Sequence, residues 1–134
     1  MIKKKKTPIQ KARKKADSLV TPVTRALYGN VCCICGNTKN ITGHHYHPKS
    51  IKGYLRYNED NFVPLCYYCH IFKVHNMADP ETIDKMREWM GDKVQILKDI
   101  KRPIGTYMDL EYYTKAIEHM NSIIIEEFNK KEEL

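Results

Sequence analysis

The chain has 134 residues, 42% of them apolar, and a formal net charge of +7. That length allows one domain with at most an appendage. No apolar run is long enough to span a bilayer, and the basic N-terminus lacks the apolar stretch of a secretory signal. The expected setting is therefore the reducing cytoplasm, where paired cysteines point to metal rather than disulfide.

Lys3, Lys4, Lys5, Lys6, Lys11, Arg13, Lys14 and Lys15 put eight positive charges into the first fifteen residues. Such an arm releases counterions from a phosphate backbone, or it is a solvated tail; both readings stay open on this stretch alone. Residues 1–10 are expected to be mobile. A basic helix is predicted from about Gln10 to Val20, and Pro22 is placed in the first turn of a separate short helix ending near Tyr28. Gly29-Asn30 marks a turn. "VCCICGNTKNITGHH" reads as a knuckle followed by a strand, "PKSIKGYLRYNEDN" as a loop, "FVPLC" as a second strand and "YYCHIFKVH" as the start of a helix.

Beyond Asn76, Asp79-Pro80-Glu81 is a helix start, with a cap, a proline in the first turn and an early acid. That helix is expected to end at Gly91, and "DKVQILKDI" to form a second short one. Thr106 and Asp109 resemble a capping box. Leu110, Tyr113, Ile117, Met120, Ile124 and Phe128 then recur at spacings of three and four, the apolar face of a long helix. That face either packs on the domain or joins two copies of the chain. The organisation expected is a basic arm and helix over 1–20, a metal-bound core over 21–78 and a helical extension over 79–134. The fold class is a small, mainly helical α+β protein.

Cys32-x2-Cys35 and Cys66-x2-Cys69 are two knuckles with 30 residues between them. Four thiolates complete the closed tetrahedral sphere of a structural zinc site and leave no position for water. The two pairs together are a specific signal. Cys33 fits neither pair and reads as a small buried hydrophobe. A redox role for the pairs would leave the histidines unexplained. Five of the six histidines fall between Gly43 and His75. His44 and His45 are neighbours on a predicted strand, so they point to opposite faces; one can serve a metal while the other, titrating near neutrality, serves as a base.

The order CxxC, "GHHYHP", "EDNFVPLCxxCH" and a further His resembles the HNH endonuclease superfamily. The resemblance covers roughly residues 28–76. "GHHYHPKSIKGYLRYNEDN" is similar to the phage recombination nuclease family NinG (Rap). The resemblance implies a treble-clef ββα-metal core and hydrolysis of DNA phosphodiesters to 5′-phosphate and 3′-hydroxyl ends. It implies His45 as general base and Asn61 as the residue that ties down the loop. It implies His44 and His70, with His75 undecided, as ligands of a catalytic Mg²⁺ or Mn²⁺, with Ni²⁺ or Zn²⁺ as contenders for nitrogen donors. Arg56, Lys49 and Lys52, with Lys11, Arg13, Lys14 and Lys15 of the arm, are the expected DNA contacts. The implied substrate is branched DNA (a Holliday junction, D-loop or flap), and the implied location is the host cytoplasm if the chain is phage-encoded. A zinc-stabilised module that binds nucleic acid without cutting it is the alternative.

His75 departs from the superfamily pattern. It lies five residues after His70, whereas the usual spacing is four. On a regular α-helix five steps rotate by about 140° and four by about 40°. Either the helix deforms before Asn76, or His75 points away from the metal.

Overall fold

The computed structural model describes residues 3–133; Met1 and Ile2 of the expected mobile arm, and Leu134, lie outside the described residues. In chain order the elements are α1 (Pro8–Tyr28), β1 (Ile41–His45), β2 (Phe62–Cys66), a π-helix (Cys69–Asn76), α2 (Pro80–Met90), α3 (Lys93–Asp99) and α4 (Leu110–Glu132). The fold is small α+β: among the described residues, helices surround one two-stranded antiparallel ribbon. No helix among the described residues is long and apolar enough to cross a membrane.

The first helix starts at Pro8, two residues before the expected Gln10. Thr7 caps α1 through a complete capping box, its hydroxyl accepting from Gln10 N–H while the Gln10 side chain accepts from Thr7 N–H. The helix then runs unbroken through Pro22, so the two helices expected here are one. Proline in a helix interior removes a backbone hydrogen bond and crowds the preceding turn. Here Pro22 is exposed, and its neighbours Val20, Val23 and Thr24 are buried against the rest of the protein. Tertiary packing holds the helix together across the break. Arg25 adds to this by donating twice to the Ile41 carbonyl, at 2.9 and 2.7 Å.

β1 lies directly under α1. A Cβ at Gly43 would stand 2.4 Å from Thr24 Oγ1 and 3.1 Å from the Val20 carbonyl oxygen, so only glycine lets the strand approach this closely. The ribbon register pairs Ile41 with Cys66, Gly43 with Pro64, His44 with Val63 and His45 with Phe62. β2 is buried along its whole length, which divides the core in two. One cluster gathers Ile41, Leu55, Val63, Leu65, Met86, Met90 and Leu97 between the ribbon, α2 and α3. The other gathers Ala16, Val20, Val23, Phe62, Tyr113 and Met120 between α1 and α4.

α2 and α3 match the sequence reading: Asp79 caps α2 by accepting from Thr82 N–H, and Gly91 (φ +57°) ends it. The start of α4 differs. Asp109, not Thr106, is the cap, accepting from Tyr112 N–H at 2.8 Å. A carboxylate at that position is the better match to the positive end of the helix dipole. Of the predicted apolar stripe, Tyr113 and Met120 are buried against α1, whereas Leu110 and Phe128 are exposed. The helical extension is therefore packed on the helix that carries the basic arm.

Candidate metal centre and cleft

The two knuckles converge. The sulfurs of Cys32, Cys35, Cys66 and Cys69 all lie within 4.8 Å of one another, and Cys35 and Cys66 approach to 3.6 Å. A tetrahedral zinc with bonds of about 2.3 Å spaces its sulfurs by about 3.8 Å, so the donor set fits a structural metal such as zinc. Local geometry builds the first knuckle: Cys32 N–H donates to the Asn37 carbonyl, and Gly36 N–H, at φ +76°, returns to the Cys32 carbonyl. Burial raises the Cys32 thiol, but hydrogen bonds from nearby backbone N–H groups outweigh it and bring its pKa down to about 7. Cys33 stays outside the cluster; burial pushes its thiol up to about 12, so it remains protonated. Burial and the crowding of neighbouring sulfurs push Cys69 up. A bound divalent cation would reverse that.

The question left by His75 is answered by the backbone. The segment after the second knuckle is a π-helix, with Met77 N–H donating to the Phe72 carbonyl five residues back. Hydrogen bonds from i to i+5 place residues five apart on one face. Two pairs use this register at once. Cys69 is buried and Val74 packs on the same core cluster, while His70 and His75 face away from it, their Nε2 atoms 2.9 Å apart. On a regular α-helix each pair would be split by about 140°. A helix carrying both a knuckle cysteine and a histidine five positions ahead of their partners is satisfied by one register, the wider one.

His44 completes the group. Its ring centroid lies 5.0 Å from that of His70 and 5.4 Å from that of His75, and donor nitrogens of all three lie within 4.8 Å of one another. Burial first, and then the neighbouring His70 and His75, bring the His44 pKa down to about 3. His70 is lowered by burial and by His75. Both shifts favour the neutral ring, in which one nitrogen keeps its N–H and the other offers a lone pair. The tautomer of His70 follows from its partner: Thr42 Oγ1 donates to the Leu65 carbonyl and so accepts from His70 Nδ1–H at 3.2 Å. That leaves the His70 lone pair on Nε2, 2.9 Å from His75 Nε2, where a cation could take the place of the hydrogen bond between the two rings. Three imidazoles, one with a hydrogen-bonded partner behind it, could together serve as a donor set for a transition metal. Thr42 gave no signal of this in the sequence, because its contact spans 28 residues.

His45 lies beside this group with a different anchor. Its Nε2 is 2.8 Å from the Arg56 carbonyl, which fixes that nitrogen as the N–H and leaves Nδ1 as the acceptor. Its pKa is lowered, chiefly by burial, although the Arg56 carbonyl works the other way. Asn61 holds the loop that supplies the anchor. It is fully buried; its Oδ1 accepts from His47 N–H at 2.7 Å and its Nδ2 donates to the carbonyls of His47 and Leu55 at 3.2 Å each.

The histidines open onto a cleft of about 540 Å³, whose walls include Asp17 and Thr21 of α1, His44, His45, Lys49 and Ser50. The expected DNA contacts divide. Lys49 is exposed on this cleft, Lys52 lines a groove farther along, and Lys11, Lys14 and Lys15 are exposed together on α1. Arg56 does not stand free. Its guanidinium is paired with Asp17 through two contacts of 2.8 and 2.6 Å, and Tyr57 hydroxyl donates to the same carboxylate. Arg13 donates to Tyr113 hydroxyl and lies over its ring, tying α1 to α4. Both arginines are occupied in building the site's frame. Asp17 was missed as well as Thr42; a lone acid directly behind a run of cations was its only sequence signal. No family model, curated protein or solved structure matches the chain.

Proposed function

We propose that the chain is a metal-dependent DNA endonuclease of the HNH type, with the knuckles, ribbon and π-helix serving as its treble-clef ββα-metal core. The observation that carries this reading is the placement of His45, anchored at Nε2 by a backbone carbonyl, beside the trio His44, His70 and His75. A base without a metal, or a metal without a base, would need no such neighbour.

In this reading His45 Nδ1 takes a proton from a water molecule in the cleft. The oxygen attacks phosphorus in line, the bond to the 3′-oxygen breaks, and that oxygen takes a proton from solvent, leaving 5′-phosphate and 3′-hydroxyl ends. A divalent cation on His44, His70 and His75 would supply charge stabilisation at the phosphate and the leaving oxygen. Three nitrogen donors favour Mn²⁺, Ni²⁺ or Zn²⁺ over Mg²⁺. Thr42 orients His70, Asn61 and the Arg56 carbonyl orient His45, and the cysteine site holds both knuckles in place. Lys49 on the cleft, with Lys11, Lys14 and Lys15 on α1, meets phosphate. A preference for branched DNA rests on the likeness of the "GHHYHP" to "NEDN" segment to the NinG (Rap) family.

The test is His45→Ala. General-base assistance is worth about 10²–10⁴ in rate, so cleavage of a labelled duplex should fall by that order while DNA binding and metal content persist. Cutting at the wild-type rate by this variant would overturn the proposal.

A further inference from the structure

The histidine cluster opens on two sides. Besides the main cleft, a cavity of about 400 Å³ is lined by His44, His45 and His75 together with Tyr46, His47 and Arg87. The same Tyr46, His47 and Arg87 also line a further groove of about 390 Å³, completed by Lys52, Val94 and Lys98. The two share these three residues, so one track runs from the candidate catalytic histidines over Tyr46 and Arg87 to Lys98 on α3.

Its chemistry is uniform. Three cations, Lys52, Arg87 and Lys98, line the outer groove with no carboxylate among the described residues that line it. Arg87 Nε donates to Tyr46 hydroxyl at 2.7 Å, which aims the guanidinium while leaving its two Nη groups without side-chain partners among the described residues. Lys52 and Lys98 make no side-chain hydrogen bond or ion pair there either. The rings of Tyr46 and His47 lie edge to face, centroids 4.8 Å apart, and line both cavities. Three cations without a carboxylate partner, sharing a groove with two aromatic rings next to a candidate phosphodiester site, are the combination that tracks a nucleic-acid strand by phosphate contact and base stacking.

We propose that Tyr46, His47, Lys52, Arg87 and Lys98 form a strand-binding groove that holds the DNA chain on one side of the bond to be cut. This inference rests on the endonuclease reading for its direction, but its binding chemistry is separately measurable. It gives Arg87 of α2 and Lys98 of α3 a role that the superfamily resemblance, over roughly residues 28–76, does not supply.

The experiment uses the full chain with zinc bound. Arg87→Gln/Lys98→Gln is compared with Lys130→Gln/Lys131→Gln, which removes the same charge from the last turn of α4. Binding to fluorescent single-stranded and duplex oligonucleotides is measured by anisotropy across a salt series, with cleavage at limiting DNA in parallel. The groove double variant should lose about tenfold in affinity, and its log–log salt slope should fall by about 1.4 for a single strand or about 1.8 for a duplex. Its cleavage at limiting DNA should fall by the same factor, while the α4 variant binds as wild type. Wild-type affinity and slope in the groove variant overturn the groove, whether or not the chain cuts. The expected binding loss in a chain that never cuts upholds the groove as a DNA site and overturns the endonuclease reading instead.

Discussion

Replacing Asn61 by alanine should be the most damaging single polar change in the loop. The side chain is wholly buried and satisfies three backbone groups: His47 N–H, the His47 carbonyl and the Leu55 carbonyl. Each bond is worth about 1 kcal/mol net, and a group left unpaired and buried costs about 1–3 kcal/mol. Part of the loop will admit water, so the sum is expected at about 3–5 kcal/mol, a large share of the total stability of a domain of this size. Urea unfolding at fixed excess zinc measures it, since a metal in exchange would otherwise break two-state behaviour. Asn61→Asp keeps the acceptor for His47 N–H but turns both donors into a carboxylate facing two carbonyls, and it should be no better tolerated. Because Leu55 precedes the carbonyl that anchors His45, folded Asn61→Ala should also cut DNA more slowly than its stability loss explains. A loss below about 1 kcal/mol, with cleavage intact, would refute the claim that this side chain holds the loop.

Cys66→Ser should leave the region between the knuckles unfolded or unstable, because a structural zinc contributes on the order of 10 kcal/mol in small zinc domains; wild-type melting with full zinc content would contradict the site. Changing Lys11, Lys14 and Lys15 to Gln should lower the salt slope of DNA binding by about 2–3 without altering the fold, since all three are exposed; an unchanged slope makes this face of α1 a solvated one. Acid should destabilise the chain through His44. Its folded pKa of about 3, set by burial and by His70 and His75, lies below the unfolded value of about 6.5. The unfolded chain therefore binds the extra proton between these limits, so stability is full above about pH 6.5 and is lost as pH falls toward about 3. With one zinc per chain, the urea midpoint should fall over this window, and His44→Gln should flatten the fall.

Signals carried within a few residues were legible in the sequence. The knuckle spacings, the Gly29 turn, both strands and the Asp79-to-Gly91 helix all rest on such signals. What failed was one local signal set against packing or against a competing local signal. Pro22 reads as a helix start, yet the buried face of α1 carries the helix across it. Thr106 reads as a cap, yet Asp109, three residues later, does the work. The five-residue gap from His70 to His75 announced a problem without resolving it, because hydrogen-bond register is not a property of either histidine. Resolution came from Val74, whose packing demands the same register. The Asp17–Arg56 pair, 39 residues apart in sequence, left no local trace beyond an isolated acid.

The central claim is that the π-helix delivers His75 to a catalytic metal alongside His44 and His70. The measurement that tests it most directly is the cleavage rate of a labelled DNA duplex as Mn²⁺ is titrated, for wild type and for His75→Ala. Wild type should be inactive in chelator and saturable in Mn²⁺. Loss of even a supporting contact to a metal ligand costs about 10–100-fold in affinity. The variant's half-maximal Mn²⁺ should therefore rise at least tenfold, with activity partly restored at excess metal. Superposable titration curves for the two proteins, or no cleavage by wild type with any divalent metal, would contradict it.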